Sequence, residues 1–286
     1  MSQTWADRCS PENSRATANI SGYNSAHSMV RAFVDRLLEK AEKILDPDIA
    51  ARARVALGSP EYFNGFSGPM NGQIARLEAI RQIIYRCGIR QIVETGTYHG
   101  TTTEWMASFG LPVVTIESNV HNYHFSRLRL RHLHNVEVKF GSSVDVLSSV
   151  LDKLDCTAPT LFYLDAHWEI YLPLRDELRT ILPRMRAAVL VIDDFQVPDE
   201  SGYAFDDYGA GKALTMEYLD ASLSEEAAVY YPSTPALQET GHRRGWAVVT
   251  ANPEMAAVVD SIALVRSATA KRASTSSEWR LVGVAP

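Results

Sequence analysis

The chain has 286 residues, of which 46% are hydrophobic, and its 28 Lys and Arg against 34 Asp and Glu give a formal charge of −6. This length allows one large domain or two small ones with a substantial core, and the acidic balance argues against a protein that coats nucleic acid. The three cysteines, Cys9, Cys87 and Cys156, form no Cys-x-x-Cys pair, which argues against a zinc or disulfide framework and suits a reducing compartment.

The N-terminal part of the chain is predicted to form a tail and a helical extension. Residues 1–28 are rich in Ser, Asn, Thr and Ala, so we expect a mobile tail, and they lack the pattern of a secretory signal. Apolar residues at three- and four-residue steps predict amphipathic helices over 30–45 and 73–86. Between them, 58–72 is predicted to be a loop whose aromatic residues cover the core or a ligand pocket: Tyr62, Phe63 and Phe66.

The remainder of the chain alternates short β-branched runs with helix-length segments, which indicates a parallel sheet covered on both faces. The predicted strands are 91–94, 111–117, 136–140, 160–165, 188–193, 227–231 and 245–250. A loop insertion over 195–212 follows the fifth strand, and the closing segment is expected to hold a helix over 255–268 and a strand over 279–284.

The predicted fold is therefore α/β, a doubly wound, mostly parallel seven-stranded sheet with an N-terminal helical addition. Its main domain is expected over 89–286, and the extension over 29–88 is expected to supply an acceptor-pocket loop. No apolar run approaches the roughly 20 residues of a membrane helix. We expect a cytoplasmic protein without nucleic-acid or membrane partners, whose N-terminal helix packs on its own domain or is exchanged across a homodimer.

The loop after the first predicted strand, in IVETGTYHGTTTEW, has the features of a ligand-binding turn. Gly96 and Gly100 let the backbone pass close to a ligand, but the spacing is neither Gly-x-Gly-x-x-Gly nor a P-loop. Glu94 would repel phosphate and favour a cation, and Glu117 ends the second strand, where it can accept hydrogen bonds from two ribose hydroxyls. A ribose with a cationic amino-acid end describes S-adenosylmethionine. The alternative is that both acids merely cap loops.

This segment resembles motif I of class I S-adenosylmethionine-dependent methyltransferases, in the form found in catechol O-methyltransferase and its relatives. The segments 114–119, 141–147 and 162–173 resemble the family's second-strand, adenine-flanking and Leu-Asp-His-Trp segments, the last with Ala166 as an extra residue. The resemblance runs from about residue 74 to 195. It implies an S-adenosylmethionine site formed by Glu94, Gly96, Thr97, Tyr98, Gly100, Thr102, Glu117, Ser142, Ser143, Asp165 and Trp168.

Three carboxylates follow the fourth and fifth predicted strands. Asp165 ends the fourth strand, and Asp193 and Asp194 end the fifth; adjacent strands lie about 5 Å apart, so these side chains can converge. Unpaired carboxylates repel one another unless a cation joins them, and oxygen ligands favour Mg²⁺ or Mn²⁺ over Zn²⁺. In the resembling family the matching positions bind a divalent metal that coordinates the acceptor hydroxyl, although its third ligand is usually Asn. The alternative is that Asp193 and Asp194 only terminate a strand.

The candidate base follows the first of these acids. Catechol enzymes have a Lys there, whereas this chain has His167, Trp168 and Glu169, which puts a catechol substrate in doubt. We expect His167 or Glu169 to act as the base, and a histidine pKa of ~6.5 favours His167, unless it is a core or cofactor-stacking residue. His242, Arg243 and Arg244 are predicted to lie in a turn that overhangs the acceptor pocket.

The resemblance, which extends to the bacterial sugar O-methyltransferases of antibiotic pathways, implies an enzyme that uses S-adenosylmethionine and Mg²⁺ or another hard divalent cation. The expected substrate is a hydroxyl of a small molecule, such as a sugar or a natural-product intermediate. Four alternatives stay open: a catechol-type phenol, an amine nitrogen, a nicotinamide-dependent oxidoreductase and a non-enzymatic binding module.

Overall fold

The structure is a computed structural model that describes residues 29–59, 62–63, 66–167, 171–220, 222–224 and 227–268. The predicted tail over 1–28 and the predicted strand over 279–284 lie outside the described residues. None of the described helices is both long and apolar enough to cross a membrane.

Short runs of aliphatic and β-branched residues form one sheet, whose strands in the described part of the chain are β1 (Gln91–Thr95), β2 (Val113–Glu117), β3 (Val136–Phe140), β4 (Thr160–Leu164), β5 (Ala188–Ile192), β6 (Ala228–Pro232), β7 (Ala247–Thr250) and β8 (Val265–Ser267). Every residue of β4 and β5 is buried, as expected for central strands covered on both faces. The predicted doubly wound α/β fold is confirmed, with the first seven strands close to their predicted positions.

The order of the strands is β3-β2-β1-β4-β5-β7-β6-β8. The strands from β3 to β5 are parallel, and β7 pairs antiparallel with both β5 and β6. The sheet has eight described strands rather than the predicted seven, because the helix predicted over 255–268 ends at Asp260. After it, Ile262 and Val265 are buried and the chain pairs with β6 as β8.

Helices cover both faces of the sheet: α1 (29–42), α2 (Pro47–Leu57), α3 (Ile74–Arg86), α4 (Thr101–Ala107), α5 (Val120–Leu130), α6 (Ser143–Leu151), α7 (Leu174–Ile181), α8 (Met216–Asp220) and α9 (Pro253–Asp260). One core contains Ile80 and Ile83 of α3, and the other contains Leu147 of α6 and Leu178 of α7. Helices on both faces bury both sides of the central strands β4 and β5, whereas the edge strand β3 keeps exposed residues.

The N-terminal extension differs from the prediction in one respect. The helix predicted over 30–45 ends at residue 42, and a second helix, α2, follows it. Asp46 caps α2 by accepting a hydrogen bond from the amide of Asp48 at 2.9 Å, and Pro47 occupies the first turn. The Asp-Pro pair is a helix-start signal that the sequence analysis did not use.

The order of the strands reverses at β1, which lies between β2 and β4. Ligands of open α/β sheets bind at such a switch point, outside the carboxyl ends of the strands. The loops that follow β1, β2, β4 and β5 meet at this edge of the sheet, and they carry most of the predicted site residues.

Candidate functional site

The glycine-containing loop between β1 and α4 packs directly on the loop that follows β4. Gly96 has a φ of +86°, and a Cβ atom there would lie 2.3 Å from the carbonyl oxygen of Asp165. No side chain fits in that space, so Gly96 brings the two loops into backbone contact. Tyr98 also has a left-handed conformation, with φ of +49°. The loop therefore turns tightly enough to leave a cradle between β1 and β4.

Glu94 is buried at the end of β1. One carboxylate oxygen, Oε2, accepts hydrogen bonds from the hydroxyls of Thr115, at 2.6 Å, and Thr103. The other oxygen, Oε1, is buried and has no hydrogen-bond partner. Burial raises the pKa of Glu94 to about 7. No cationic side chain in the described part of the chain forms an ion pair with this acid, so it is suited to a cationic ligand group.

Glu117, at the end of β2, is oriented by the backbone. Its two oxygens accept hydrogen bonds from the amides of Tyr98 and Asn119, each at 2.7 Å. Burial raises its pKa, which these amide hydrogen bonds oppose. The amides of Ser118 and Thr97 also stabilise this carboxylate, so a ligand hydroxyl would share its oxygens with backbone donors. Nearby, the Thr97 hydroxyl lies 2.5 Å from that of Thr115 and ties the loop to β2.

A cavity lies between this loop and residues 66–71. Its lining comes from the glycine-containing loop, from the segment 58–72 and from the acids after β4 and β5: Phe66, Gly68, Met70, Asn71, Gly96, Thr97, Tyr98, His99, Thr101, Thr102, Asp165 and Asp193. The amide of Met70 donates a hydrogen bond of 3.1 Å to the Thr102 hydroxyl. The segment around Met70 is thereby fixed to the N-terminal turn of α4.

The aromatic residues that precede Met70, namely Tyr62, Phe63 and Phe66, have two roles. Tyr62 stacks on His99 at 4.1 Å, and both Tyr62 and Phe63 pack against Phe125, so these two cover the core. Phe66 is 57% exposed, lines the cavity and stacks with Tyr98 at 5.7 Å. Tyr62 and Phe63 therefore cover the core, whereas Phe66 lines the cavity.

The predicted adenine-flanking residues lie at the start of α6. Ser142 is its N-cap residue by backbone position, but its side chain makes no capping hydrogen bond. Ser143 is buried, and its hydroxyl has no hydrogen-bond partner. Trp168 and Glu169, predicted as a cofactor contact and a candidate base, lie outside the described residues.

Asp193, which lines the cavity, forms an ion pair with an arginine of α3. Arg76 of α3 is fully buried and donates a hydrogen bond of 2.7 Å to Asp193, and the Tyr163 hydroxyl donates another at 2.6 Å. Burial would raise the pKa of Asp193, but the ion pair with Arg76 outweighs it and lowers that pKa. Asp193 therefore has a cation of its own.

Asp194 is paired with a second arginine. Arg244 donates from Nε to Asp194 at 2.5 Å and from a terminal nitrogen to Asp206, which the insertion after β5 brings to the site. Burial and the neighbouring Asp193 nevertheless raise the pKa of Asp194. The backbone of Asp194 is left-handed, with φ of +51°, a conformation that costs about 1–3 kcal/mol and needs support from its surroundings.

The helix that carries Arg76 and the segment that carries Arg244 are joined by hydrogen bonds of Glu239 and Gln73. Glu239, in the segment before β7, accepts hydrogen bonds from the amides of Ala75 and Arg76 at 3.1 and 3.3 Å, and so caps α3. Gln73 donates to the carbonyl oxygen of Arg244 at 2.9 Å. The start of α3 and the segment before β7 are therefore fixed together beside the acids.

Three side chains with metal-ligand atoms face one another at this edge, and of these only Asp194 has an arginine partner among the described residues. One ligand atom from each of Asp165, His167 and Asp194 lies within 4.8 Å of those of the other two. His167 is 4% exposed, and its Nε2 lies 3.8 Å from Asp165 Oδ1 without a hydrogen-bond partner. Burial lowers the pKa of His167, whereas burial and the nearby Asp193 and Asp194 raise that of Asp165. This donor set fits a divalent cation.

Two residues that shape this site, Arg76 and Tyr163, were not predicted from the sequence, and neither was the pairing of Arg244 with Asp206. A signal for Arg76 was present, because it shares a helix face with the buried Ile80 and Ile83. An arginine on a buried face requires an acid partner. No comparable local signal exists for Tyr163 or for the pairing of Arg244 with Asp206.

Comparisons with known proteins give structural neighbours only; no protein-family model and no curated protein sequence matches the chain. It is similar to the O-methyltransferase TomG from Streptomyces achromogenes, involved in tomaymycin synthesis and solved with SAM, at 18% identity over 78% of this chain and 98% of that one, with a TM-score of 0.48. An O-methyltransferase from Bacillus cereus, solved with SAH, has 19% identity over 77% and 96% of the two chains and a TM-score of 0.43. The SAH-bound Podospora anserina methyltransferase PaMTH1 has 17% identity over 77% of this chain and 95% of that one, with a TM-score of 0.43.

Proposed function

We propose that this protein is an S-adenosylmethionine-dependent O-methyltransferase acting on a hydroxyl group of a small molecule, such as a sugar or a natural-product intermediate. The observation that carries the proposal is the pair of buried acids, Glu94 and Glu117, at the ends of neighbouring strands beside the cradle at Gly96. A ligand with a cationic end and a ribose diol matches the charge and the acceptor capacity of these two carboxylates. A phosphate-bearing dinucleotide does not.

The chain's own residues would bind this cofactor from three sides. Oε1 of Glu94 is buried without a partner and can accept a hydrogen bond from an ammonium group. Glu117, oriented by backbone amides, would accept hydrogen bonds from ribose hydroxyls on oxygens that it shares with those amides. Phe66 and Met70 cover the cavity from the N-terminal extension and would limit the access of water. When bound, S-adenosylmethionine supplies a methyl group activated by its sulfonium.

The acceptor hydroxyl would lie beside the acids that follow β4 and β5. The sequence predicts that Asp165, Asp193 and Asp194 hold Mg²⁺ there. Support is stronger for Asp165 and Asp194, whose ligand atoms lie within 4.8 Å of each other, than for Asp193, because Arg76 and Tyr163 occupy both of its oxygens. A bound divalent cation lowers the pKa of a coordinated hydroxyl, as it does for water. The assignment of His167 or Glu169 as the base stays a prediction.

The test of this proposal is calorimetric titration of the purified protein with S-adenosylhomocysteine in the presence of EDTA. We expect micromolar binding for the unchanged protein, and NADH titrated as a control should give no heat of binding. The absence of S-adenosylhomocysteine binding would refute the proposal. Binding of NADH instead would favour the oxidoreductase alternative.

The acceptor class is tested separately with methyl-labelled S-adenosylmethionine. Sugars, catechols and primary amines should be compared as acceptors at equal concentration, with the position of the label read by mass spectrometry. Transfer to a sugar or another aliphatic hydroxyl is the expected outcome. Transfer only to a catechol or to nitrogen would keep the methyltransferase and overturn the proposed substrate class.

A further inference from the structure

We propose that the site beside the ends of β4 and β5 binds a first-row transition-metal dication through Asp165, His167 and Asp194, and that His167 makes it prefer such an ion to Mg²⁺. The inference rests on the proposed function only for the place of the acceptor. It differs from the sequence prediction in two ways, because it replaces Asp193 by His167 as a ligand and changes the preferred metal.

The first argument is that Asp193 already has its charge neutralised. Arg76 and the Tyr163 hydroxyl donate to its two oxygens at 2.7 and 2.6 Å, and the amide of Asp194 donates to it as well. Both Arg76 and Asp193 are buried, so breaking this pair to free Asp193 for a metal would leave an uncompensated guanidinium in the core. Both oxygens of Asp193 are therefore occupied, whereas Arg244 contacts only Oδ1 of Asp194 and leaves Oδ2 of that residue for an ion.

The second argument is the unpartnered nitrogen of His167. Its Nε2 is buried, lies 3.8 Å from Asp165 Oδ1 and has no hydrogen-bond partner. A buried polar atom without a partner is costly, and an imidazole nitrogen is a common metal ligand. Three ligand atoms that share one ion at bond lengths of about 2.1 Å lie about 3.0–3.6 Å apart, so the group, now within 4.8 Å, would close by up to about 1–2 Å on binding the ion, which side-chain rotation can supply.

The third argument is the balance of charge. Four carboxylates meet here, those of Asp165, Asp193, Asp194 and Asp206, and two guanidiniums, those of Arg76 and Arg244, pair with three of them. With a neutral His167 the cluster carries an excess of two negative charges, which one divalent cation balances. Arg244 binds Asp194 from outside and would orient it toward the ion, as hydrogen bonds to metal ligands commonly do.

The choice of metal follows from the donor atoms. Mg²⁺ prefers an all-oxygen set and keeps several of its waters, whereas an imidazole suits first-row transition metals, whose affinities exceed those of the hard ions at nitrogen-containing sites. Two carboxylates and one imidazole therefore favour an ion such as Mn²⁺ or Zn²⁺. In this arrangement His167 holds the ion and does not take the proton of the acceptor.

The experiment uses full-length protein, freed of metal with EDTA and then dialysed, and titrated with Mn²⁺ under electron paramagnetic resonance. We expect one bound Mn²⁺ per chain, at least about tenfold tighter than Mg²⁺ measured by competition, with nitrogen-14 modulation in the pulsed spectrum. His167→Gln should remove the nitrogen signal and weaken Mn²⁺ about tenfold or more, while Mg²⁺ binding changes little. His134→Gln, at an exposed turn, is the matched control and should change neither.

Two further variants separate the ligand sets. Asp194→Asn should weaken Mn²⁺ binding, whereas Asp193→Asn should lower thermal stability and leave the nitrogen signal intact. Equal affinity for Mg²⁺ and Mn²⁺, a bound Mn²⁺ without nitrogen modulation, or no bound metal would overturn the inference. Binding of S-adenosylhomocysteine in EDTA is measured on the same preparation, so the proposed function and the metal assignment can fail separately.

Discussion

The acids at the two ends of the candidate site differ in their hydrogen-bond and ion-pair partners. At the ends of β1 and β2, Glu94 and Glu117 accept hydrogen bonds from hydroxyls and backbone amides, and no arginine among the residues that the structure describes pairs with them. At the end of β5, Asp193 and Asp194 are each held by an arginine from a distant part of the chain. Acids that look alike in the sequence therefore keep their charge unpaired at one end and are paired with arginines at the other, where Asp194 keeps only one oxygen outside its ion pair.

This difference shows that a carboxylate after a strand is not by itself a binding group. The partner that the fold brings to a carboxylate determines whether its charge is available to a ligand. A neutral donor orients the carboxylate and leaves its charge unpaired, whereas a guanidinium forms an ion pair with no net charge. Asp165 and His167 lie at the boundary between the two ends and have no arginine within salt-bridge distance in the described residues.

The largest expected effect concerns the buried ion pair at the β5 end. Arg76→Ala leaves Asp193 buried without its cation, and we expect a loss of about 3–5 kcal/mol in the free energy of unfolding, measured by urea denaturation. The control is Arg81→Ala on the same helix, which removes an exposed pair with Glu78 and should leave the urea midpoint unchanged. Similar midpoints for the two variants would contradict a structural role of the buried pair.

The next effect tests the cradle at the β1 end. Gly96→Ala places a Cβ against the carbonyl oxygen of Asp165, so the loop must move, and we expect the affinity for S-adenosylhomocysteine to fall about a hundredfold. Gly110→Ala is the matched control, because Gly110 also has a left-handed φ, +74°, but open space around it. Calorimetry compares their affinities, and thermal unfolding separates binding from folding. Equal losses in both variants would attribute the effect to φ alone.

A smaller effect is expected for the acid at the end of β2. Glu117→Ala removes an acceptor for the ribose hydroxyls and also frees the amides of Tyr98 and Asn119, so affinity should fall about 10- to 100-fold in calorimetry. Glu137→Ala on β3, whose side chain is exposed, is the control and should bind normally. Unchanged affinity in the Glu117 variant would remove the ribose assignment.

The smallest effect is a dependence on pH. The pKa of Glu94 is raised from 4.5 to about 7, so its buried carboxyl is protonated below that value and charged above it. Affinity for a cationic cofactor should rise about tenfold between pH 6 and 8 as the acid ionises, and Glu94→Gln should abolish this rise. A slope that persists in the variant would point to another group.

The same shift affects stability with the opposite sign. An acid whose pKa is higher in the folded state favours folding at low pH, and this contribution is lost as pH rises from about 4.5 to about 7. Without a ligand, Glu94→Gln should therefore flatten the decline in stability over that range. Urea denaturation at several pH values measures this change.

Much of the fold could be predicted because its signals are local. The buried strands β4 and β5 are continuous apolar runs, and α3 has a regular apolar stripe. The boundary between α1 and α2, and the replacement of the end of a predicted helix by β8, were not predicted, since short helices and edge strands depend on what they pack against.

At the site, the sequence by itself determined which acids follow which strands, because parallel strands bring their carboxyl ends to one edge whatever else the chain does. It also required glycine at Gly96, where only the absence of a side chain permits the turn. Only the tertiary structure decided which acids keep their charge. Arg76 and Arg244 are 117 and 50 residues from their partners Asp193 and Asp194. No local pattern encodes such a pairing, which arises only when α3 and the segment before β7 pack against the same edge of the sheet.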